Sequence, residues 1–314
     1  MSVRRFVFAC LAVFCIALAA PSIGREATAS DPGRRPAPIP LPPDLPIPRY
    51  YPGPAPFRNG ETLVYEASWV GIPAAEVRVV LLKNGVDGES WTGKLWLRSS
   101  TAVDLLYRMR DYIYEDFNRD DLRPREIHIL QREKQRHDEW LIRFDDREHL
   151  VTSAKRNAQG RTWVREFSGG QPWGPFSGAM LALSLPLNVG ETYTFDVFSG
   201  GNRYVLAFNV DRAEPITTPW GTLRALRIIP SVVWLSEGKF RNQVSQTVIW
   251  VSDDEQHLPL RIEAAAFVGN IRVDLAQVLN APQPNAGAPA APTIKAFECE
   301  QCFSLFTPIS VLTP

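Results

Sequence analysis

The chain has 314 residues, and its 34 lysines and arginines balance 34 aspartates and glutamates, so the formal net charge is zero. A balanced charge argues against a nucleic-acid partner, because binding to phosphates needs a basic surface. Hydrophobic residues make up 45% of the chain, which excludes a wholly disordered protein, and four cysteines are too few for a disulfide-dense scaffold.

The first 29 residues are predicted to be a signal peptide. Arg4 and Arg5 supply a basic start, and the apolar run from Phe6 to Ala19 has the length of a signal-peptide core. That run is shorter than the roughly 20 residues that span a membrane, so no transmembrane segment is expected in the mature chain. Small residues spaced for cleavage end at Ala19 and at Ala29, and both sites stay open. We therefore expect export to the periplasm or to the periplasmic face of the outer membrane.

Two proline-rich segments divide the mature chain. Residues 31–56 contain 11 prolines, and such a run favours extended polyproline II over a strand. A second segment, 280–294, mixes Pro, Ala, Asn and Gly as flexible linkers do. We expect residues 30–56 to be a disordered arm, residues 57–279 to form one domain, and residues 295–314 to be a separate tail.

The domain is predicted to be mainly β, as an antiparallel barrel or a strongly curved sheet with one or two short helices. Apolar residues alternate along successive segments, and turn residues recur about every 8–12 positions, as in all-β sandwiches and barrels. Residues 199–202 read as the turn of a hairpin. Helices are predicted at 176–185 and at 102–109. The alternating sets include Leu63, Tyr65, Ala67 and Trp69; Trp91, Leu95 and Leu97; Trp140, Ile142 and Phe144; and Val244, Val248 and Trp250.

All nine tryptophans lie inside the predicted domain. A sheet with a large aromatic inner face could enclose a cavity for an apolar ligand. The alternative is that each tryptophan fills the core, since each buries about 150–250 Å² there. The ligand-cavity candidates are Tyr65, Trp69, Trp140 and Trp250.

A pair of adjacent carboxylates, Asp253 and Asp254, follows one predicted strand. Paired carboxylates can act as acid and base when their environments separate their pKa values. Adjacent residues on a strand point to opposite faces, however, and Ser and Asp bond nearby backbone amides in turns. We therefore expect Ser252, Asp253 and Asp254 to form a turn.

The tail carries Cys299 and Cys302, spaced as a Cys-x-x-Cys pair. In an oxidising compartment this spacing favours a local disulfide. Haem attachment would need a histidine directly after Cys302, where Phe303 stands.

The search for catalytic and metal motifs is negative. The chain has no Gly-x-Ser-x-Gly elbow, no phosphate loop and no His-Glu-x-x-His, and none of its four histidines lies three to five residues from another. We expect no metal and no cofactor.

Three motifs, taken in order, resemble a bacterial family of exported proteins known only as a domain of unknown function. They are Gly60–Tyr65 followed by Trp69, Thr218–Thr222, and Trp250–Asp254. The resemblance spans the whole domain and leaves out both proline-rich segments and the tail. It implies an antiparallel β-barrel or curved sheet in the cell envelope, with no established reaction.

Three hypotheses about function follow. The favoured one is a non-catalytic envelope protein that binds an apolar ligand, such as a lipid, or an envelope partner. The second is an envelope hydrolase that uses Asp253 or Asp254 with Glu66 or a histidine. The third is a structural scaffold that acts through the proline-rich arm and the tail.

Overall fold

The computed structural model describes residues 39–40, 47–54, 57–85, 88–134, 136–234, 247–265 and 269–281. The predicted signal peptide and the Cys299–Cys302 disulfide lie outside the described residues. So do most of the proline-rich arm and nearly all of the second linker. The scaffold hypothesis depends on these segments and stays a prediction.

One sheet contains the strands of the described residues, and two short helices accompany it. The helices are α1 (Thr101–Tyr107) and α2 (Pro175–Ser184). The strands are β1 (Ile39–Pro40), β2 (Thr62–Trp69), β3 (Ile72–Asn84), β4 (Ser90–Ser99), β5 (Met109–Asn118), β6 (Pro124–Glu133), β7 (Arg136–Asp145), β8 (Leu150–Arg156), β9 (Thr162–Ser168), β10 (Thr192–Ser199), β11 (Asn202–Thr218), β12 (Gly221–Trp234), β13 (Thr247–Ser252), β14 (Pro259–Ala265) and β15 (Asn270–Leu279).

The strand order is β1-β9-β8-β7-β6-β5-β4-β3-β2-β15-β14-β13-β12-β11-β10. Two meanders, β2 to β9 and β10 to β15, therefore meet along β2 and β15, the first and last strands of the domain. These strands pair antiparallel, whereas the two-residue β1 pairs parallel with β9. Strands β9 and β10 follow each other in the chain but lie near opposite edges of the sheet.

Alternation along the strands sets the core on one face, which we call the inner face. On β5, for example, Met109, Ile113 and Phe117 are buried in the hydrophobic core, while Tyr112 and Tyr114 in the opposite phase are half-buried. This period of two is what half-buried strands require. The predicted mainly β fold, in its strongly curved form, is confirmed.

Side chains bring the two edges of the curved sheet together. The ring of Phe198 on β10 lies 4.8 Å from that of Phe167 on β9. Arg203 on β11 donates from Nη1 to the carbonyl oxygen of Gly169, just after β9, at 2.7 Å. Side chains thus bridge the seam between β9 and β10, and among the described residues no strand ladder joins these two strands.

The outer edge of β10 is covered by segments from elsewhere in the chain. The backbone N–H of Trp173 donates to the carbonyl of Asp196, and that of Phe198 donates to the carbonyl of Trp173, both at 2.8 Å. The N–H of Thr194 donates to the Tyr50 hydroxyl at 3.0 Å. These contacts satisfy donors and acceptors that an open edge would leave for another chain.

Tyr50 lies in the segment expected to be a disordered arm, but it packs against the domain. Its ring lies 5.1 Å from the ring of Phe195, and Gly53 donates to Ser184 Oγ at 3.1 Å. Residues 47–54 therefore pack against the domain, because an aromatic residue at the edge of β10 buries its ring and satisfies a strand amide at once.

Helix α2 fills part of the inner face. Pro175 begins it, as its fixed φ favours, and residues such as Phe176, Met180 and Leu181 are buried. A Cβ on Gly93 of β4 would lie 2.4 Å from the Phe176 ring, so the strand approaches the helix too closely for any other residue there. Within the described residues, neither helix is long and apolar enough to cross a membrane.

Candidate functional site

Three of the four predicted cavity residues lie on the inner face. Tyr65 is buried on β2 and donates its hydroxyl hydrogen to the Pro259 carbonyl at 3.1 Å. Trp69, at the end of the same strand, is half-buried against the core. Trp140 on β7 is buried, in register opposite Ile129 of β6.

Trp250 differs from this prediction, because it points away from the inner face. Its neighbours Ile249 and Val251 take the inner positions, and Ile249 lies in register between Ile228 and Ile262 of the flanking strands. The Trp250 indole donates from Nε1 to Glu214 Oε1 at 2.7 Å. Apolar residues occupy both faces of this strand, so alternation alone did not reveal which set faces the core.

The residues 252–254 close the end of β13 through local bonds. Asp254 Oδ1 accepts from the Ser252 hydroxyl at 2.7 Å and from the Gln256 amide at 3.0 Å. Asp253 forms an ion pair with Arg224, with Nε and Oδ2 2.5 Å apart. Each carboxylate thus has a partner of its own, as turn residues do.

The hydrolase hypothesis also needs a partner for these aspartates, either a histidine or Glu66. That side chain is exposed on β2, between the buried residues Tyr65 and Ala67, so it faces away from the core. Its register partner on β15 is Asp274.

A group of polar side chains that sequence reasoning missed lies on the inner face. We call Asp111, Gln131, Glu133 and Asp138 the inner polar cluster. All four are buried, and they alternate along β5, β6 and β7 with core residues such as Ile113, Ile129 and Trp140. In register, Asp111 is opposite Gln131, and Gln131 is opposite Asp138. The cluster therefore crosses three adjacent strands near the end that carries α1.

Two cations, Arg136 and Lys155, contact Asp138 of this cluster. Arg136 forms an ion pair with Asp138, and Lys155 Nζ lies 3.2 Å from Asp138 Oδ2. Tyr107, the last residue of α1, donates its hydroxyl hydrogen to Glu133 Oε2 at 2.5 Å. Buried carboxylates need such partners, because an ion without them pays a large desolvation cost.

Two tryptophans surround Lys155, forming what we call the aromatic–cation surface: Trp140, Lys155 and Trp163. Lys155 Nζ lies 5.0 Å from the Trp140 ring centre and 5.8 Å from that of Trp163, within cation–π range. Lys155 is in register with both tryptophans, so all three share the inner face. The Lys155 side chain nevertheless keeps 25% of its surface accessible.

The turn between β10 and β11 borders this surface. A Cβ on Gly201 would lie 3.5 Å from Ser153 Oγ and 4.0 Å from Trp140 Nε1. The hairpin therefore covers the inner face of β7 and β8 up to Trp140. Lys155 and Trp163 lie beyond it, where the inner face reaches solvent.

Burial controls the protonation of Asp111. Desolvation, together with the nearby charge of Glu133, raises its pKa to about 8, although the Arg132 amide donates to its Oδ1 at 3.0 Å. At neutral pH Asp111 is therefore mainly a neutral hydrogen-bonding group. Among the described residues, no three His, Cys, Asp or Glu side chains are grouped to hold a metal ion.

We predict that Asp111→Asn removes a pH dependence of stability. Between its ordinary pKa of 3.8 and the folded value of about 8, Asp111 binds a proton only in the folded chain. The stability that this proton contributes is fully present below pH 3.8. It falls as the pH rises from 3.8 to about 8, where the folded chain also loses the proton. Urea unfolding of both proteins at pH 5 and pH 8 should show the wild type losing up to about 1.4 kcal/mol per pH unit relative to the variant. Parallel curves would contradict the proposed burial of Asp111.

The sequence does contain a signal for this cluster. In the segment 109–117 the inward positions are Met, Asp, Ile, Glu and Phe, so acidic residues occur at core positions of an alternating pattern. A polar residue in the core phase of a strand is an informative deviation. The signal was hidden because the outward positions of the same segment also carry charges and tyrosines.

Comparisons with known proteins give a family and a few similar structures. A family model described as "Protein of unknown function (DUF3108)" matches residues 64–276, from within β2 to within β15. No curated protein matches the chain. A β-barrel-like protein of domain of unknown function DUF1849 from Brucella abortus has 8% identity and a TM-score of 0.47, with 70% of this chain and 97% of that one covered.

Two further solved structures are similar at lower scores. One, from Bacteroides fragilis, is described as a candidate exported protein with a YmcC-like fold; it has 6% identity, a TM-score of 0.33 and coverage of 73% of this chain and 98% of its own. The other, a candidate lipoprotein from Parabacteroides distasonis, has 11% identity and a TM-score of 0.29, with coverage of 73% and 98%.

Proposed function

This chain belongs to the DUF3108 family of proteins of unknown function, and from its own geometry we propose that it is an exported, non-catalytic envelope protein that binds an anionic single-chain lipid. The resemblance to a family of unknown function is confirmed by this match. Export is supported by the basic start at Arg4 and Arg5 and by the apolar run that follows.

The observation that carries the proposal is a cation between two tryptophans on the core side of the sheet, within reach of water. The inner face elsewhere buries apolar side chains, whereas here Lys155 and Trp163 keep accessible surface. A dry core does not leave an ammonium in this position, because a buried cation is costly. The inner face therefore reaches water beside the aromatic–cation surface.

The chemistry of this surface fits an amphiphile. Lys155 has three N–H donors, and its ion pair with Asp138 uses one of them. The remaining donors can hold a carboxylate or phosphate head. The ring of Trp163 and the aliphatic stem of Lys155, which keep accessible surface, offer apolar area to the chain of the ligand. Arg161 lies 5.1 Å from the Trp163 ring and adds positive charge at the entrance.

The experiment is a titration of the full chain with palmitate, followed by tryptophan fluorescence and native mass spectrometry. We expect saturable binding by the wild type. Lys155→Met should weaken it about 10- to 100-fold, because it keeps the aliphatic stem and removes a charge-assisted hydrogen bond.

Lys83→Met is the matched control. Lys83 also lies over a tryptophan, 5.2 Å from the Trp91 ring centre, but on the β3 end distant from α1. Its variant should bind palmitate as the wild type does. Absence of binding by the wild type, or equal weakening by both variants, would reject the site.

A further inference from the structure

The end of the sheet that carries α1 exposes an unusual amount of apolar surface. Leu105 and Leu106 of α1 are 85% and 71% exposed, and Val70 and Ile72 of the β2–β3 turn are 58% exposed each. We call these four residues the apolar rim. None of the seven residues of α1 is buried, so the helix does not contribute a buried side chain to the core.

The helix and the turn lie side by side. Ser100, which caps α1, donates its backbone N–H to the Ala74 carbonyl at 2.7 Å and its hydroxyl hydrogen to the Pro73 carbonyl at 2.9 Å. The helix thus starts next to the strand that Ile72 begins. The helix that carries Leu105 and Leu106 and the turn that carries Val70 and Ile72 therefore lie at the same end of the sheet. Apolar exposure grouped in this way marks an interaction site.

Exposed cations border the helix of the rim. The acidic residue of α1, Asp104, is neutralised by Arg110, whose Nη1 and Nη2 lie 3.0 and 2.5 Å from its two oxygens. Arg108 and Lys134 are exposed just beyond the helix, and the Lys134 amide donates to the Arg108 carbonyl at 2.9 Å. An apolar surface bordered by exposed cations is complementary to an anionic membrane surface.

We propose that the apolar rim inserts into the surface of an anionic phospholipid membrane, with Arg108 and Lys134 among the headgroups. Leu105 and Leu106 enter the boundary between headgroups and acyl chains, while the sheet stays outside the bilayer. This inference goes beyond the proposed lipid site and does not depend on it. The strand register places the apolar rim and the aromatic–cation surface at the same end of β3 to β9. A docked protein would therefore turn the aromatic–cation surface toward the lipid.

The test is flotation of the full chain with vesicles of phosphatidylcholine and phosphatidylglycerol. We expect the wild type to float with these vesicles and to lose binding as salt rises. Leu105→Ser/Leu106→Ser should weaken binding at least about tenfold, since it removes the apolar area that enters the membrane. Arg108→Gln/Lys134→Gln should weaken binding to the anionic vesicles and leave the weak binding to pure phosphatidylcholine unchanged.

The control is Val189→Ser, which changes a residue that is 54% exposed in the turn before β10 and should float as the wild type does. Thermal unfolding checks that each variant is folded. The leucine variant should still bind palmitate, and Lys155→Met should still float, which separates this inference from the proposed function. Failure of the wild type to float overturns it. So does a wild-type dimer in sedimentation velocity that the leucine variant loses without any change in flotation.

Discussion

Replacing Arg203 with leucine is expected to lower the free energy of unfolding by about 3–5 kcal/mol, the usual cost of removing one partner of a buried ion pair. Arg203 and Asp196 have side chains that are only 3% and 7% exposed, and Nε lies 2.7 Å from Oδ1. The same guanidinium donates to the Gly169 carbonyl across the seam. The substitution therefore leaves a buried carboxylate without its cation and removes one link between β9 and β11. Urea unfolding at pH 8 measures the loss.

The loss should be smaller at low pH. Burial raises the pKa of Asp196 above its ordinary value, and Arg203 opposes that shift. Without Arg203 the carboxyl takes up a proton more readily, which reduces the penalty at pH 5. The double variant Arg203→Leu/Asp196→Leu should recover much of the stability, because it leaves no buried charge.

Arg224→Leu is the matched control for this pair. Arg224 also binds an aspartate, Asp253, but its side chain is 73% exposed. Exposed pairs contribute about 0–1 kcal/mol. Equal losses of stability in the two arginine variants would contradict the prediction that the buried pair and its link across the seam stabilise the fold.

Glu115→Ala is expected to destabilise the protein by about 2–4 kcal/mol. The fully buried Glu115 carboxylate accepts from the amides of Phe176 at 2.6 Å and Ser177 at 3.0 Å, in the first turn of α2. These amides have no partner within the helix, and alanine would leave them buried beside an empty space. Glu126→Ala, which removes a half-buried carboxylate from β6, should cost about 1 kcal/mol or less.

The conservative variant Glu115→Gln distinguishes charge from shape. Burial raises the pKa of Glu115 to about 7, although the bonds from Ser177 and Phe176 lower it. Between pH 4.5 and 7 the folded chain therefore holds a proton that the unfolded chain lacks, and stability falls as the pH rises through this window. Glu115→Gln should lose that pH dependence while keeping one acceptor for the helix. A variant with the same pH profile as the wild type would show that the carboxylate is not buried against α2.

Several elements could be predicted from the sequence because their signals are local. The turn between β10 and β11 was predicted at residues 199–202, and the register joins Ser199 to Asn202. The helix predicted at 176–185 is α2, Pro175–Ser184, and the one predicted at 102–109 is α1, Thr101–Tyr107. Turn residues, capping and helical spacing act over a few positions, so a single sequence displays them.

The residues of the candidate site could be predicted from the sequence only in part. Tyr65, Trp69 and Trp140, which are predicted to line a cavity, lie on one face, while Trp250 lies on the other. Alternation of apolar residues does not reveal the inner polar cluster, because its polar side chains occupy the same strand phase as the core. Lys155 became a candidate only once its register with Trp140 and Trp163 was known.

The sequence by itself determined the mainly β class, the family and the positions of most strands and turns, since the period of two and the turn residues are local consequences of backbone geometry. Only the tertiary structure decided which strand edges meet and what lies on the inner face. Arg203 reaches Gly169 across 34 residues, and Glu115 reaches Phe176 across 61. Such contacts depend on the curvature of the whole sheet, which brings together residues that alternation along any one strand leaves unrelated.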